Sequence, residues 1–196
     1  MEWAGDGLLL SARPHGETSA ILEVLTPEHG LYRGLVRGGG GRRLAPVLQP
    51  GNTLALRWRA RLDEQLGYFT VEPLRARAGA IMADAERLAA LNALCALAAF
   101  ALPEREPQPR LHALTTALLD RLAAGESWFG AYLLWERMLL EETGYGLDLG
   151  ACAVSGDIEG LAYVSPRSGR AVTAEAAGDW ADRLLPLPPL LLDAAA

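Results

Sequence analysis

The side chains with the clearest chemical capacity in this chain are its arginines. All 18 basic residues are arginine and none is lysine. Each guanidinium is a planar fork that grips phosphate bidentately or stacks on a base, whereas Schiff-base and P-loop chemistry needs the amine of lysine and is therefore excluded. Seven arginines lie within residues 33–61: Arg33, Arg37, Arg42, Arg43, Arg57, Arg59 and Arg61. This density predicts a surface that binds a polyanion, and we assign these seven side chains to it.

A glycine-rich stretch at 31–51 carries the first four of these arginines. Four glycines at 38–41 separate Arg37 from Arg42 and Arg43, and prolines close the stretch. Glycine removes backbone stiffness, so the tract is interpreted as a hinge that lets the arginines adapt. Pro46 and the absence of apolar helical periodicity after the tract argue against a phosphate cradle at a helix start.

The other three arginines alternate along one predicted strand at 52–62. Leucines and Trp58 occupy the opposite face, so one register buries Trp58 and displays the arginines. A merely solvated outer face is the alternative interpretation of this row. Three aromatic residues, Tyr32, Tyr68 and Phe69, are left open, and one of them could stack a base.

Hydrolytic chemistry has weak support. His15 or His29 could be combined with Ser11, Ser19 and Asp6, but no G-x-S-x-G elbow occurs and no residue order supports such a site. We therefore expect that the protein is not an enzyme and uses no cofactor.

The two cysteines, Cys95 and Cys152, are too few for a disulfide framework or a four-thiolate metal site. Cys152 begins a Cys-x-x-Ser-Gly segment where a zinc ribbon would have Cys-x-x-Cys-Gly, and all three histidines precede residue 113. Because a structural zinc needs four ligands, we expect no metal site. Cys95, on an apolar predicted helix, is assigned to the core.

Charge is unevenly distributed along the chain. The 196 residues are 51% hydrophobic with a net charge of −6, but residues 1–79 carry +2 and residues 80–196 carry −8. Polyanion binding must therefore be local to the first part. The N-terminus does not resemble a signal peptide, and the most apolar stretch, 88–102, is shorter than the roughly 20 residues that span a bilayer. We expect a cytoplasmic protein without membrane contact.

The elements that must position the arginines are short strands. Apolar runs at 7–13, 19–26, 31–37, 52–62 and 67–74 predict a five-stranded barrel such as the OB-fold, although an SH3-like barrel has the same strand count. We predict an α+β chain with an OB-fold domain at 1–79 and a helical domain at 80–196.

Within the second domain, periodicity predicts a helix over 81–101, a second helix over 111–122 with a stop at Gly125, and a third helix from 128 to near Gly144. A hairpin is predicted at about 152–173, with Thr173 capping a further helix. The apolar end of the chain, at 184–196, leaves surface that we expect a further segment or a partner chain to cover.

In their order along the chain, several motifs resemble the RecO family of bacterial DNA repair and recombination mediators. They are G-x-x-L-x-x-R-x-x-G-E-T-S at 7–19, V-L-T-x-E-x-G at 24–30, L-Q-P at 48–50, W-E-x-x-L-L-x-x-x-G at 135–144, C-x-x-x-G at 152–156 and S-P-x-S-G-R-A-V at 165–172. The resemblance covers essentially the whole chain.

The resemblance implies binding of single- and double-stranded DNA, annealing of complementary strands, and loading of RecA together with RecR and single-strand-binding protein. It also implies that the helical domain receives the tail of single-strand-binding protein, for which we assign Arg110, Arg121 and Arg137. Many members carry a four-cysteine zinc ribbon, and this chain keeps only Cys152, so zinc is not carried over. The family's last helical segment is also expected to be missing. The alternative is a non-catalytic adapter whose barrel docks an acidic partner protein.

Overall fold

A computed structural model describes residues 1–62 and 65–193 of the chain. The described residues form two compact units, which divide between Trp128 and Phe129. The first unit contains five strands that close into a barrel with the order β1-β2-β3-β5-β4. They are β1 (Glu2–His15), β2 (Ser19–Thr26), β3 (Gly30–Val36), β4 (Thr53–Arg59) and β5 (Tyr68–Arg75). The predicted α+β chain with an N-terminal five-stranded barrel is confirmed.

Strand β1 is twice as long as predicted, and its length closes the barrel. Its first half pairs with β4, from Glu2 opposite Arg59 to Leu8 opposite Thr53, and its second half pairs with β2. The change of partner is at Leu8, and a bulge between Leu9 and Ser11 follows it; such an extra residue bends a strand and increases its twist. Residues 2–6 escaped sequence analysis because Gly5 and Asp6 are poor strand formers.

The barrel core consists of the inward residues of all five strands. Trp58 is 1% exposed and packs with leucines of β1, β2 and β4, as its place in the alternation predicted. The prediction that this strand runs to residue 62 is wrong. Strand β4 ends at Arg59, and Leu62 is 61% exposed.

Three helices follow the barrel within the first unit: α1 (Ala78–Ile81), α2 (Ala85–Ala101) and α3 (Pro109–Ala124). The single helix predicted at 81–101 is split because Asp84 adopts an extended conformation and caps α2, accepting a hydrogen bond from Arg87 N–H at 2.9 Å. Gly125, with φ of 70°, ends α3 where a stop was expected. The domain boundary predicted between residues 79 and 80 stays a prediction.

The second unit begins with α4 (Phe129–Glu142) and contains the predicted hairpin, β6 (Leu161–Val164) and β7 (Ala171–Thr173). The helix α5 (Ala174–Ala177) is capped by the Thr173 hydroxyl, which accepts from Ala176 N–H at 3.2 Å. A 3₁₀ turn (Gly178–Arg183), β8 (Leu185–Pro186) and α6 (Pro189–Asp193) complete it.

Part of the apolar end is covered by the chain itself. Strand β8 pairs with β6, and Leu187, Leu191 and Leu192 pack in one cluster with Leu149. Leu185 and Leu190 remain exposed. The hairpin therefore buries part of the apolar surface that we expected a further segment or a partner chain to cover.

Among the helices of residues 1–62 and 65–193, none has the length and apolarity required to cross a bilayer.

Candidate nucleic-acid interface

Two adjoining grooves on the outside of the barrel collect four of the seven arginines. The first, which we call the arginine groove, has a volume of about 610 Å³, and its lining includes Arg37, Arg43 and Arg59. The second, which we call the loop groove, has a volume of about 720 Å³, and its lining includes Arg59 and Arg61 together with His15. Because Arg59 lines both, the four guanidinium groups border one continuous surface.

Tyr68 also lines both grooves. It lies opposite Arg59 in the β4–β5 ladder, and the guanidinium carbon of Arg37 is 4.8 Å from its ring centroid. Its side chain is 49% exposed, whereas Tyr32 and Phe69 are buried at 5% and 4%. Of the three aromatic residues that sequence analysis left open, Tyr68 alone is thus exposed to a ligand.

The glycine-rich stretch is a loop attached to the barrel at several points. Gly38 has a positive φ of 73°, and a Cβ on Gly39 would lie 2.8 Å from Ala20 Cβ, so these two positions favour glycine by geometry. Gly40 N–H donates to Thr18 O at 3.1 Å, and Leu48 is buried in the barrel core. These contacts hold Arg37 and Arg43 at the groove. The interpretation of the glycine tract as a hinge stays a prediction.

Arg33 is engaged by carboxylates and lines neither groove. It donates to Glu23 Oε1 from Nε at 2.8 Å, and its Nη1 lies 2.7 Å from Glu104 Oε1. Glu23 is 4% exposed and also accepts from the Ser11 hydroxyl at 2.5 Å. Glu104 is brought beside β3 by the bond from Arg105 N–H to Leu31 O at 2.9 Å. These ion pairs indicate a structural role for Arg33, and its contact with a polyanion stays a prediction.

Arg57 and Arg42 are exposed, and neither belongs to the lining of the two grooves. Arg57 shares the outer face of β4 with Arg59. Glu2, on the paired strand β1, lies 3.8 Å from Arg57 Nη1 and 3.4 Å from Arg59 Nε. Sequence analysis missed Glu2 because its strand was not predicted. Its carboxylate partly neutralises the arginine row.

Cys152 accepts hydrogen bonds beside the end of strand β7. Thr173 N–H donates to Cys152 Sγ at 3.4 Å, and hydrogen bonds from the Ser155 hydroxyl and backbone lower the pKa of the thiol to about 6. Ser155 therefore acts as a hydrogen-bond donor to this thiol. Within the described part of the chain, no group of three or more His, Cys, Asp and Glu side chains could hold a metal ion. Absence of zinc stays a prediction.

The three arginines assigned to a partner protein lie on helices. Arg110 and Arg121 are eleven residues apart on α3, about 16 Å along its axis. Arg121 Nη1 lies 3.9 Å from Glu126 Oε2 and donates to Ser127 O at 3.4 Å. Arg137, on α4 of the other unit, donates to Leu191 O at 3.2 Å. Their partner-binding role stays a prediction.

Comparison with known proteins covers nearly the whole chain. The family model described as "Recombination protein O N terminal" matches residues 1–77, and the model described as "Recombination protein O C terminal" matches residues 82–196. The chain is 60% identical to the DNA repair protein RecO of Paracoccus denitrificans over 191 residues, which are 97% of this chain and 78% of that protein. It is 59% identical to the protein of the same name from Roseobacter denitrificans, covering 97% and 79%, and 56% identical to that of Dinoroseobacter shibae, covering 98% and 80%.

Proposed function

This chain belongs to the RecO family, and we propose that it acts in DNA repair and recombination as a mediator that binds DNA through the arginine-lined grooves of its barrel. The ligand is single- or double-stranded DNA, and the activity is annealing of complementary strands. The family resemblance adds a role in loading RecA with RecR, receipt of the tail of single-strand-binding protein, and a place in the cytoplasm at the nucleoid.

One observation carries the DNA-binding proposal: Arg37, Arg43, Arg59 and Arg61 border one continuous surface although the chain as a whole is acidic. Guanidinium groups bind phosphate bidentately, and each phosphate contact releases counterions from the strand. Because the chain as a whole carries a net charge of −6, this attraction is local.

Annealing follows from the same charges. Two complementary strands repel each other through their phosphates, and arginines that neutralise one strand reduce that repulsion while leaving base edges accessible. Because the arginines bind the backbone, this binding is expected to be indifferent to sequence. It requires no nucleotide hydrolysis.

We propose that the protein is non-catalytic. Ser11, one of the two serines weighed for a hydrolase, donates its hydroxyl to Glu23, and that carboxylate is already paired with Arg33. His29 stacks on Trp3 with ring centroids 4.2 Å apart. Both side chains therefore have structural partners.

The test is the salt dependence of DNA affinity. If four arginines contact phosphates of a single strand, the slope of log K against log salt is roughly −2.8, a loss of about fiftyfold between 50 and 200 mM salt. Arg59→Gln is expected to make the slope less steep by about 0.7. Arg167→Gln is the matched control, because it removes the same charge from the exposed hairpin turn. Absent or salt-independent binding contradicts the proposal, and so does an equal effect of both variants.

The second candidate function is that of a protein-interaction adapter. It is favoured by the outward-facing arginines of β4, which could also bind an acidic surface of a partner protein. Charge reversal at Arg57 and Arg59 separates the two functions. Loss of DNA binding and annealing supports the mediator. Unchanged DNA binding with loss of a captured partner protein supports the adapter.

A further inference from the structure

Tyr68 presents an aromatic ring to solvent at the centre of the basic surface. The side chain is 49% exposed, although it lies on a barrel strand whose next residue, Phe69, is 4% exposed. Alternation along β5 accounts for the outward direction of the residue but not for an aromatic ring at that position. An exposed aromatic ring bordered by arginines is a typical composition for a site that binds unpaired bases.

Hydrogen bonds fix the backbone of the two residues that precede Tyr68. Leu35 N–H donates to Gly67 O at 3.0 Å, and Trp58 Nε1 donates to Leu66 O at 3.1 Å. A Cβ on Gly67 would lie 2.4 Å from Trp58 Nε1, so the loop approaches the indole more closely than any other residue type allows.

The following residue is held equally firmly. The ring of Phe69 lies over Gly34, where a Cβ would be 2.5 Å from Phe69 Cδ2. Tyr68 is therefore fixed between two buried contacts, and binding does not have to order its backbone.

Cations surround the ring on the side of the arginine groove. Arg37 stacks on Tyr68 with its guanidinium carbon 4.8 Å from the ring centroid, and Arg59 is the cross-strand neighbour. Arg43 lines the same groove. A strand whose base lies against the Tyr68–Arg37 pair would have its phosphates within the reach of these guanidinium groups.

We propose that Tyr68 is a base-stacking residue, which binds one unpaired base of a single strand while the neighbouring arginines hold its phosphates. This inference rests on the proposed DNA binding and specifies a single-strand subsite within it. In a duplex both faces of each base are already stacked, so the ring contributes to single-strand affinity and not to duplex affinity. The grooves then bind both forms of DNA, and Tyr68 discriminates between them.

The experiment measures affinities for an oligothymidylate and for a duplex of equal length at two salt concentrations. Tyr68→Leu is expected to lower single-strand affinity roughly 5- to 150-fold and to leave both duplex affinity and the salt slope unchanged. Tyr68→Phe retains the ring and is expected to bind like the unmodified protein. Tyr145→Leu is the matched control, since Tyr145 is 75% exposed in the other compact unit.

A second measurement uses the unmodified protein and decides the matter even if Tyr68→Leu disturbs the strand. Photocrosslinking to an oligonucleotide that contains 5-iodouracil is expected to attach the base to the peptide that includes Tyr68. Crosslinks confined to other peptides overturn the inference. Equal losses of single-strand and duplex affinity in Tyr68→Leu also overturn it.

The two proposals fail in different ways. If Arg59→Gln weakens DNA binding and Tyr68→Leu does not, the stacking role is wrong and the DNA-binding function stands. If the unmodified protein binds neither DNA form, both are wrong.

Discussion

The Nε atom of Arg77 lies 2.5 Å from Oδ1 of Asp120, joining the end of the barrel to helix α3 across 43 residues of sequence. Arg77 is 2% exposed, and it also donates to Thr53 Oγ1 at 2.6 Å. The other carboxylate oxygen of Asp120 lies 2.9 Å from Arg75 Nη1. A buried guanidinium thus depends on a carboxylate from a helix that sequence analysis placed in a separate domain.

Asp120→Asn is expected to destabilise the protein by about 2–4 kcal/mol, because it leaves the buried charge of Arg77 without a carboxylate. Urea unfolding followed by circular dichroism measures the loss. Asp148→Asn is the control: its partner Arg170 lies 3.1 Å away, and both side chains are about half exposed, so the expected cost is below about 1 kcal/mol. Equal losses in the two variants would show that burial of Arg77 is unimportant.

Gly67→Ala is expected to cost about 2–5 kcal/mol. The residue has a φ of 66°, which costs an L-residue roughly 1–2 kcal/mol, and its new methyl group collides with the Trp58 indole, which adds about 1–3 kcal/mol. Gly16 has a similar φ of 61°, and nothing lies within 4 Å of a Cβ placed there. Gly16→Ala is therefore expected to lose only the stability that the backbone conformation costs. The difference in stability between the two variants, measured by thermal unfolding, gives the cost of the collision with Trp58. Equal losses of stability would show that the collision costs nothing.

Glu2→Gln is expected to raise DNA affinity about two- to fivefold at low salt, since it releases Arg57 and Arg59 from exposed ion pairs, each worth up to about 1 kcal/mol. Fluorescence anisotropy of a labelled strand measures the change. Glu159→Gln removes the same charge from the other unit and tests for an effect of net charge alone. If Glu159→Gln gives the same gain, the local pairing with Glu2 plays no part.

Ser155→Ala is expected to raise the pKa of Cys152 from about 6 towards its ordinary value of 9.0, because the Ser155 hydroxyl donates the largest of the hydrogen bonds that stabilise the thiolate. The ultraviolet absorbance of the thiolate during a pH titration reports it. Cys95 does not interfere below pH 9, since burial raises its pKa to about 12. An unchanged Cys152 midpoint would contradict the assignment.

The same shift predicts a dependence of stability on pH. The pKa of Cys152 is lower in the folded protein than in the unfolded chain, so its stabilising contribution is complete above pH 9 and is lost as the pH falls towards 6. Unfolding of the Ser155→Ala variant is expected to depend less on pH within this window. A steeper dependence in the variant would show that the sign is wrong.

Much of the local structure could be predicted from sequence because it depends on neighbours along the chain. The alternation around Trp58 determined which face of β4 is buried, and the stop at Gly125 and the cap at Thr173 were correctly located. The all-arginine composition likewise determined that the basic surface would consist of planar phosphate-binding groups.

The composition of the site required the tertiary structure, because it depends on residues far apart in sequence. Arg33 and Arg37 are equivalent by sequence, but Glu104, 71 positions after Arg33, takes the first as an ion-pair partner, whereas the closure of β3 onto β5 places the second over Tyr68. Tyr32 and Tyr68 are equally aromatic, and only the barrel decides that one is enclosed and the other exposed. Periodicity reports which face of a strand a residue occupies, whereas strand order and register determine which charges and rings meet there.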